Sequence, residues 1–234
     1  MLVSIVIPAY NEEKYIGKTL ESIKNLEKSD FDTEVIVMDP HSTDKTAEIA
    51  KSYGAKVALI PHKGIGFARQ QGIIQSKGEI IAFTDADTIV PKDWLNRHVK
   101  VLKQEGVVCS CGGFKFVDGK FPILQFANYI QPIFIYLFDR LFGQPLATGQ
   151  NMAFWKDKAL SIGGFNENIL VMEDTDLAVR MTKIGKVIYQ PTLVIYTSGR
   201  RSVEGWQYFV RAGSSFLEFF ILGQRKLKGF PDIR

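Results

Sequence analysis

The sequence predicts an α/β fold, a mostly parallel central sheet flanked by helices and followed by an amphipathic helical tail. Three observations predict it. Four apolar runs, at residues 2–7, 34–38, 56–60 and 79–83, alternate with segments whose apolar residues recur at helical spacing. A β-α-β-α-β-α-β order of this kind calls for right-handed crossovers and parallel strands. The run Ile80-Ile81-Ala82-Phe83 shows no polar alternation, as expected of a strand covered on both faces.

Each element has its own signal. The first strand is β-branched and closed by Pro8. Asn11-Glu12-Glu13 opens a helix with Ile16, Leu20 and Ile23 on one face. The second strand ends in Asp39, and Ser42-Thr43-Asp44-Lys45-Thr46 supplies the cap and first turn of the next helix. Gly64-Ile65-Gly66 separates the third strand from a helix over 67–75. The fourth strand stops at Asp85-Ala86-Asp87. The turns after these strands should line one rim, where open α/β sheets bind ligands.

The following part is less regular. A helix is expected over 93–104, and a strand over 107–117 with a bulge or bend at Gly112-Gly113. A helix over 156–161 follows, then one opened by Glu173-Asp174-Thr175-Asp176, with Leu177, Met181 and Ile184 as its buried stripe. Two short strands are expected at 186–190 and 192–196, and a helix around Trp206, Val210 and Phe216. The expected boundaries are a domain over 1–198, divided at 104/105 into two halves, and a tail at 199–234.

Composition is globular, 46% hydrophobic and 23% charged. The tail 199–234 holds seven Lys/Arg against three acids and so carries the whole net charge of +4. An anionic partner is to be sought there. No basic stripe interleaved with aromatics points to nucleic acid. Residues 121–138 contain no charge, which touches the lower limit for a membrane span. Pro122, Gln125, Asn128, Gln131 and Pro132 argue against spanning. Peripheral membrane contact through 121–138 and 203–234, an acceptor-facing helix and plain packing remain as readings. Cys109 and Cys111 match neither redox nor zinc spacing, and alternation puts both on one strand face as buried reduced thiols. The N-terminus shows no secretory signal, so the expected location is cytoplasmic or the cytoplasmic face of a membrane.

The chemistry concentrates after the fourth strand. Asp85 and Asp87 are two apart, so in extended chain they point the same way. Such carboxylates repel unless a cation lies between them or one is protonated. Oxygen ligands suit Mg²⁺ or Mn²⁺. The competing reading is a loop of solvated acids with Asp93 nearby. For Glu173 and Asp174 the competing reading is interaction with the helix macrodipole.

Taken together, Ile7-Pro8-Ala9-Tyr10-Asn11-Glu12-Glu13, Val37-Met38-Asp39 with Ser42–Thr46, Gly66-Phe67-Ala68-Arg69-Gln70, Asp85-Ala86-Asp87 and Glu173-Asp174-Thr175-Asp176-Leu177 with Arg180 carry a resemblance. The chain resembles the family-2 glycosyltransferases of the GT-A fold, inverting enzymes with nucleotide-sugar donors, from Val3 to about Tyr196. This makes 1–104 the nucleotide-binding half and 105–198 the acceptor-binding half. The resemblance implies that Pro8, Ala9, Tyr10 and Glu12 border the nucleoside, and that Asp39 accepts a hydrogen bond from the base. It implies that Arg69 sits near the base or diphosphate, and that Asp85-Ala86-Asp87 is the donor motif. Asp87 would be on the metal, and Asp85 on the ribose or the metal's water. Asp174 would be the base, supported by Glu173, and Gly149, Gln150 and Asn151 the donor-sugar and acceptor loop. Arg200 and Arg201 would clamp the diphosphate, or else meet acidic lipid headgroups.

The implied cofactors are Mg²⁺ or Mn²⁺ and a nucleotide sugar, UDP-sugar first and GDP-sugar second. The implied acceptor is a glycan or a lipid-linked molecule. Two departures stand out. Pro40 and His41 follow Asp39, where the family usually has a second acid and a glycine. The three histidines, His41, His62 and His98, all lie in the first half, so the late metal-binding His of some members is absent. The alternatives are transfer to a polyprenyl phosphate and a non-catalytic nucleotide-sugar-binding module. A nucleotidyltransferase would want an early glycine-rich basic loop, and a dinucleotide dehydrogenase G-x-G-x-x-G after the first strand; neither is present.

Overall fold

The computed structural model describes residues 1–119, 123–143, 145–200 and 206–220. In chain order the first half runs β1 (Leu2–Pro8), α1 (Ile16–Lys24), β2 (Asp32–Asp39), α2 (Thr46–Ser52), β3 (Lys56–Leu59), α3 (Ile65–Gln75) and β4 (Ile80–Phe83). β1 pairs in parallel with β2 and β4, and β2 with β3, as the crossover order demands. Alternate residues of these strands feed two cores. Val3, Ile5, Ile7, Ile80 and Ala82 meet α1 and α2 on one face. Val6, Ile81 and Phe83 meet Phe67 and Ile73 of α3 on the other. Both faces are covered, which is why residues 80–83 carry no polar alternation.

Beyond β4 the sheet turns mixed. β5 (Thr88–Ile89), α4 (Trp94–Leu102) and β6 (Val107–Phe116) come next. α5 (Ile123–Gln125) passes through a π-helical stretch (Phe126–Ile130) into α6 (Gln131–Phe142). β7 (Met152–Trp155), α7 (Lys156–Ser161), α8 (Glu173–Met181), β8 (Lys186–Thr197) and α9 (Trp206–Phe220) complete the described chain. The strand order is β3-β2-β1-β4-β7-β6-β8-β5, with β7 antiparallel to both β4 and β6 and β8 parallel to β6.

Two expectations change and one holds. The two short strands at 186–190 and 192–196 are one strand, β8. Its pairing with β6 slips between Gly112 and Gly113, which absorbs Pro191 at an interruption of the ladder. A side chain at Gly112 would run into Asn151 and the Leu193 carbonyl, so the bulge requires glycine there. Ile184 is not in the buried stripe of α8. The helix stops at Met181, whose carbonyl accepts from the Ile184 and Gly185 N–H groups of the turn, and Ile184 is exposed. Cys109 and Cys111 are buried free thiols on one face of β6, their sulfurs 3.7 Å apart.

Candidate active site

The loops after β1 and β2 are laced into one rim. Asn11 N–H donates to Ser42 Oγ at 3.0 Å, and Thr43 N–H donates back to Asn11 Oδ1 at 2.9 Å. Glu12 N–H donates to Thr46 Oγ1 at 2.7 Å, and Glu13 N–H to Asp44 at 3.1 Å. Asp39, buried at the end of β2, accepts from both the N–H and the Oγ of Ser42 at 2.7 Å. His41 takes a left-handed φ of 60°, a conformation that favours glycine. Ala9 is buried, and Tyr10 lies under the Lys63 ammonium, 3.7 Å from ring centroid to nitrogen.

Asp85, Ala86 and Asp87 leave β4 directly into this rim. Ala86 belongs to the core, and its carbonyl accepts from Thr19 Oγ1 at 2.7 Å. Asp87 is held by Thr197 Oγ1 at 3.3 Å and by Arg200 at 3.0 Å. Arg200 also grips Glu12 through two parallel hydrogen bonds of 2.7 and 2.8 Å, and stacks over Tyr15. Burial disfavours its charge, but Glu12 and Asp87 outweigh that and raise its pKa. The loop bearing Arg200 is tied down by Asp118, which accepts from Ser198 Oγ and Gly199 N–H.

Arg69 differs most from its expected place. It is 3% exposed, and its guanidinium faces three carboxylates: Glu173, Asp85 at 3.1 Å and Asp174 at 3.9 Å. It is spent on acids rather than open to a phosphate or base. Desolvation works against its charge, but the three acids prevail and raise its pKa. Gly149 lies flat against the guanidinium, where any side chain would collide.

Glu173 and Asp174 begin α8 after Met172, which holds a left-handed φ of 65°. Asp174 accepts from Gly149 N–H at 2.6 Å and Thr175 N–H at 2.7 Å. Burial raises its pKa, while Arg69 and these two N–H groups oppose the rise. Burial, then the Asp174 charge, push Glu173 up to about 8 despite Arg69. Both acids of the pair are thus harder to ionise than a free carboxylate, and Asp174 is the one that two backbone N–H groups steady in its charged form.

Asn151 is the second correction. It is fully buried, and its side chain is committed to the interior rather than to a ligand loop. Its Oδ1 accepts from Trp94 Nε1 at 2.9 Å and faces His98 Nε2 at 3.0 Å, and its amide donates to the carbonyls of Gly113 and Leu193. Because Oδ1 can only accept, His98 carries its proton on Nε2. Its Nδ1 then accepts from Ser110 Oγ, which receives a hydrogen bond from Gln190. Sequence reasoning missed this network, although Trp94 and His98 recur at helical spacing with Leu102 on the buried face of α4. Of the remaining sequence candidates, Pro8 ends β1 at the rim, and Arg201 lies outside the described residues.

The acids after β4 are the candidates to hold a metal. Among the described residues no three His, Cys, Asp or Glu side chains converge to hold an ion. Asp85 and Asp87 are carboxylates of the type that Mg²⁺ or Mn²⁺ takes together with a diphosphate, and here Asp85 is paired with Arg69 and Asp87 with Arg200. Thr84 Oγ1 and Arg69 Nε, on the residue before Asp85 and on its partner, are buried with no hydrogen-bond partner among the described residues.

The glycosyl transferase family 2 model matches residues 4–162, more than half of the chain. The chain belongs to glycosyl transferase family 2. An uncharacterized glycosyltransferase of Rickettsia typhi is 28% identical over 204 residues, covering 83% of this chain and 63% of that protein. A mannosyltransferase from Pyrobaculum calidifontis, solved with GDP-Man and Mn²⁺, has a TM-score of 0.73 at 21% identity, covering 97% of this chain and 65% of that one. Glucosyl-3-phosphoglycerate synthase from Mycobacterium tuberculosis, solved with Mn²⁺, UDP and glucosyl-3-phosphoglycerate, has a TM-score of 0.62 at 22% identity, covering 98% and 81%. The fold of this family 2 member is therefore GT-A. The chain spans less than two thirds of the length of the first curated relatives it matches.

Proposed function

We propose that the chain catalyses inverting transfer of a sugar from a nucleotide sugar to an acceptor hydroxyl, with a divalent metal bound at Asp85 and Asp87. The observation that carries this reading is the Arg69 guanidinium, which joins Asp85 at the end of β4 to Glu173 and Asp174 at the start of α8. The acids proposed to hold the metal and the partly exposed Asp174 carboxylate are thus brought to one guanidinium. The rim formed by the loops after β1 and β2, with Asp39 at its floor, is the site for the nucleoside. A bound Mg²⁺ or Mn²⁺ would neutralise charge on the departing diphosphate. Asp174 removes the acceptor proton from the opposite face of the sugar, its charge sustained by two N–H donors and the nearby Arg69 guanidinium. Arg69 positions these acids. Arg200, paired with Asp87 and Glu12, would be the cation beside the diphosphate.

Metal-bound complexes of the two structural neighbours support the cation, and their GDP-Man and UDP leave the base open between the two donor classes. Asp87→Ala removes a charged metal ligand, and turnover should fall about a thousandfold. Undiminished transfer by that variant contradicts the proposal. Thermal-shift titration with UDP- and GDP-sugars in Mn²⁺ identifies the donor, because stabilisation grows with ln(1 + [L]/Kd). A second reading, a lipid-linked acceptor, is favoured by one observation, the exposed apolar surface of α6.

A further inference from the structure

The end of the π-helical stretch and α6 expose a stripe at helical spacing: Ile130, Ile133, Leu137 and Leu141 are 48–74% exposed. α9 lies beside it, with Phe138 meeting Phe216 and Phe220 at centroid distances of 5.1 and 5.0 Å. α9 adds exposed Val210 and Leu217 to the same pair of helices. A soluble surface seldom leaves so many large apolar side chains contiguous unless something covers them.

We infer that α6 and α9 form a membrane-docking face that lies in the headgroup plane of an anionic bilayer, so that the cleft meets its acceptor at the membrane surface. The clause about the acceptor rests on the glycosyl-transfer reading; the docking does not. Among the described residues no helix is long and apolar enough to cross a membrane, which leaves an in-plane arrangement for this surface. Charge selects the occupant. Residues 121–138 contain no charged side chain, whereas 199–234 carry the whole net charge of +4. A second copy carries net charge of the same sign, whereas an anionic bilayer complements it. Tyr129, exposed and beside the Lys115 ammonium, is the aromatic–cation pair expected at a headgroup level.

The face is also joined to the catalytic rim. The Asn128 side chain accepts from Phe116 N–H and donates to the Phe116 carbonyl, fixing the π-helical stretch to the end of β6. Two residues on, Asp118 holds the loop that carries Arg200.

Flotation of the full chain with vesicles of phosphatidylcholine, alone or mixed with phosphatidylglycerol, tests the inference. The wild type should float with the mixed vesicles, and less so at high salt. The combined Ile133→Glu, Leu137→Glu and Leu141→Glu variant should lose at least about tenfold in partitioning at an unchanged unfolding temperature. Failure of the wild type to float, or equal flotation of the variant, overturns the inference. So does a dimer in light scattering that the variant converts to monomer, because the face then belongs to a second copy. Donor turnover in the absence of vesicles, abolished by Asp87→Ala, reports separately on the glycosyl-transfer reading.

Discussion

The sheet wing built from β1–β4 and the wing built from β5–β8 solve the same problem with different means. In the first, uninterrupted apolar strands pack between two helical layers, and the polar groups gather in the loops at the strand ends. In the second, Ser110, Asn151, Gln190 and His98 form a hydrogen-bonded chain through the interior beside a glycine-dependent bulge. Periodicity specifies the first wing; particular polar partners specify the second. Arg69 is the joint between them, because it rises from α3 and ends among the acids of α8.

The sharpest way to break this comparison is to remove the joint. Arg69→Ala leaves Glu173 and neighbouring acids without their cation, and should cost about 3–5 kcal/mol of stability as well as transfer activity. Arg69→Lys keeps the charge but not the fork, so its unfolding temperature should fall between those of wild type and Arg69→Ala. If Arg69→Ala melts like the wild type, the two wings are not joined there.

The next largest effect is expected inside the second wing. Asn151→Leu strands the Trp94 and His98 donors and two carbonyls, which should cost roughly 4 kcal/mol in denaturant unfolding. A comparable apolar truncation of a partly exposed residue in the first wing should cost much less.

A pH titration separates the wings further. Burial depresses His98 to about 4 from an ordinary 6.5. Because its folded pKa is the lower one, the unfolded chain binds the extra proton between these values. The His98 contribution is therefore complete above pH 6.5 and is lost as pH falls towards 4, on the order of 3 kcal/mol. His98→Gln should flatten that acid limb in melts recorded across this window. The smallest effect belongs to the exposed seam, where Arg97 donates to the carbonyl and Oγ1 of Thr192 at 3.0 and 2.5 Å. Arg97→Ala should change stability by about 1 kcal/mol or less.

The same contrast explains what could be read from the chain. The strands and helices of the first wing, the acids at their ends and the reduced state of Cys109 and Cys111 follow from spacing alone, since each feature is local. The merging of 186–190 and 192–196 into β8 does not, because it depends on a glycine bulge in β6 that accommodates the extra residues. Asp85, Asp87, Glu173 and Asp174 were legible as acids at element ends. The partners of Arg69 and Asn151 were not. Arg69 meets Glu173 across 104 positions, and Asn151 meets His98 across 53, separations that no local pattern encodes. A lone arginine or asparagine in a motif shows its donors and acceptors but not where they are satisfied.

The central claim is a division of labour within one cleft, with Asp85 and Asp87 holding the donor through a cation and Asp174 taking the acceptor proton. Asp174→Asn tests it most directly, through calorimetry of donor binding in Mn²⁺ alongside a transfer assay. The variant should bind the nucleotide sugar with near wild-type affinity and transfer it at least about a hundredfold more slowly. Transfer at the wild-type rate, or loss of donor binding in place of transfer, would contradict the role assigned to Asp174.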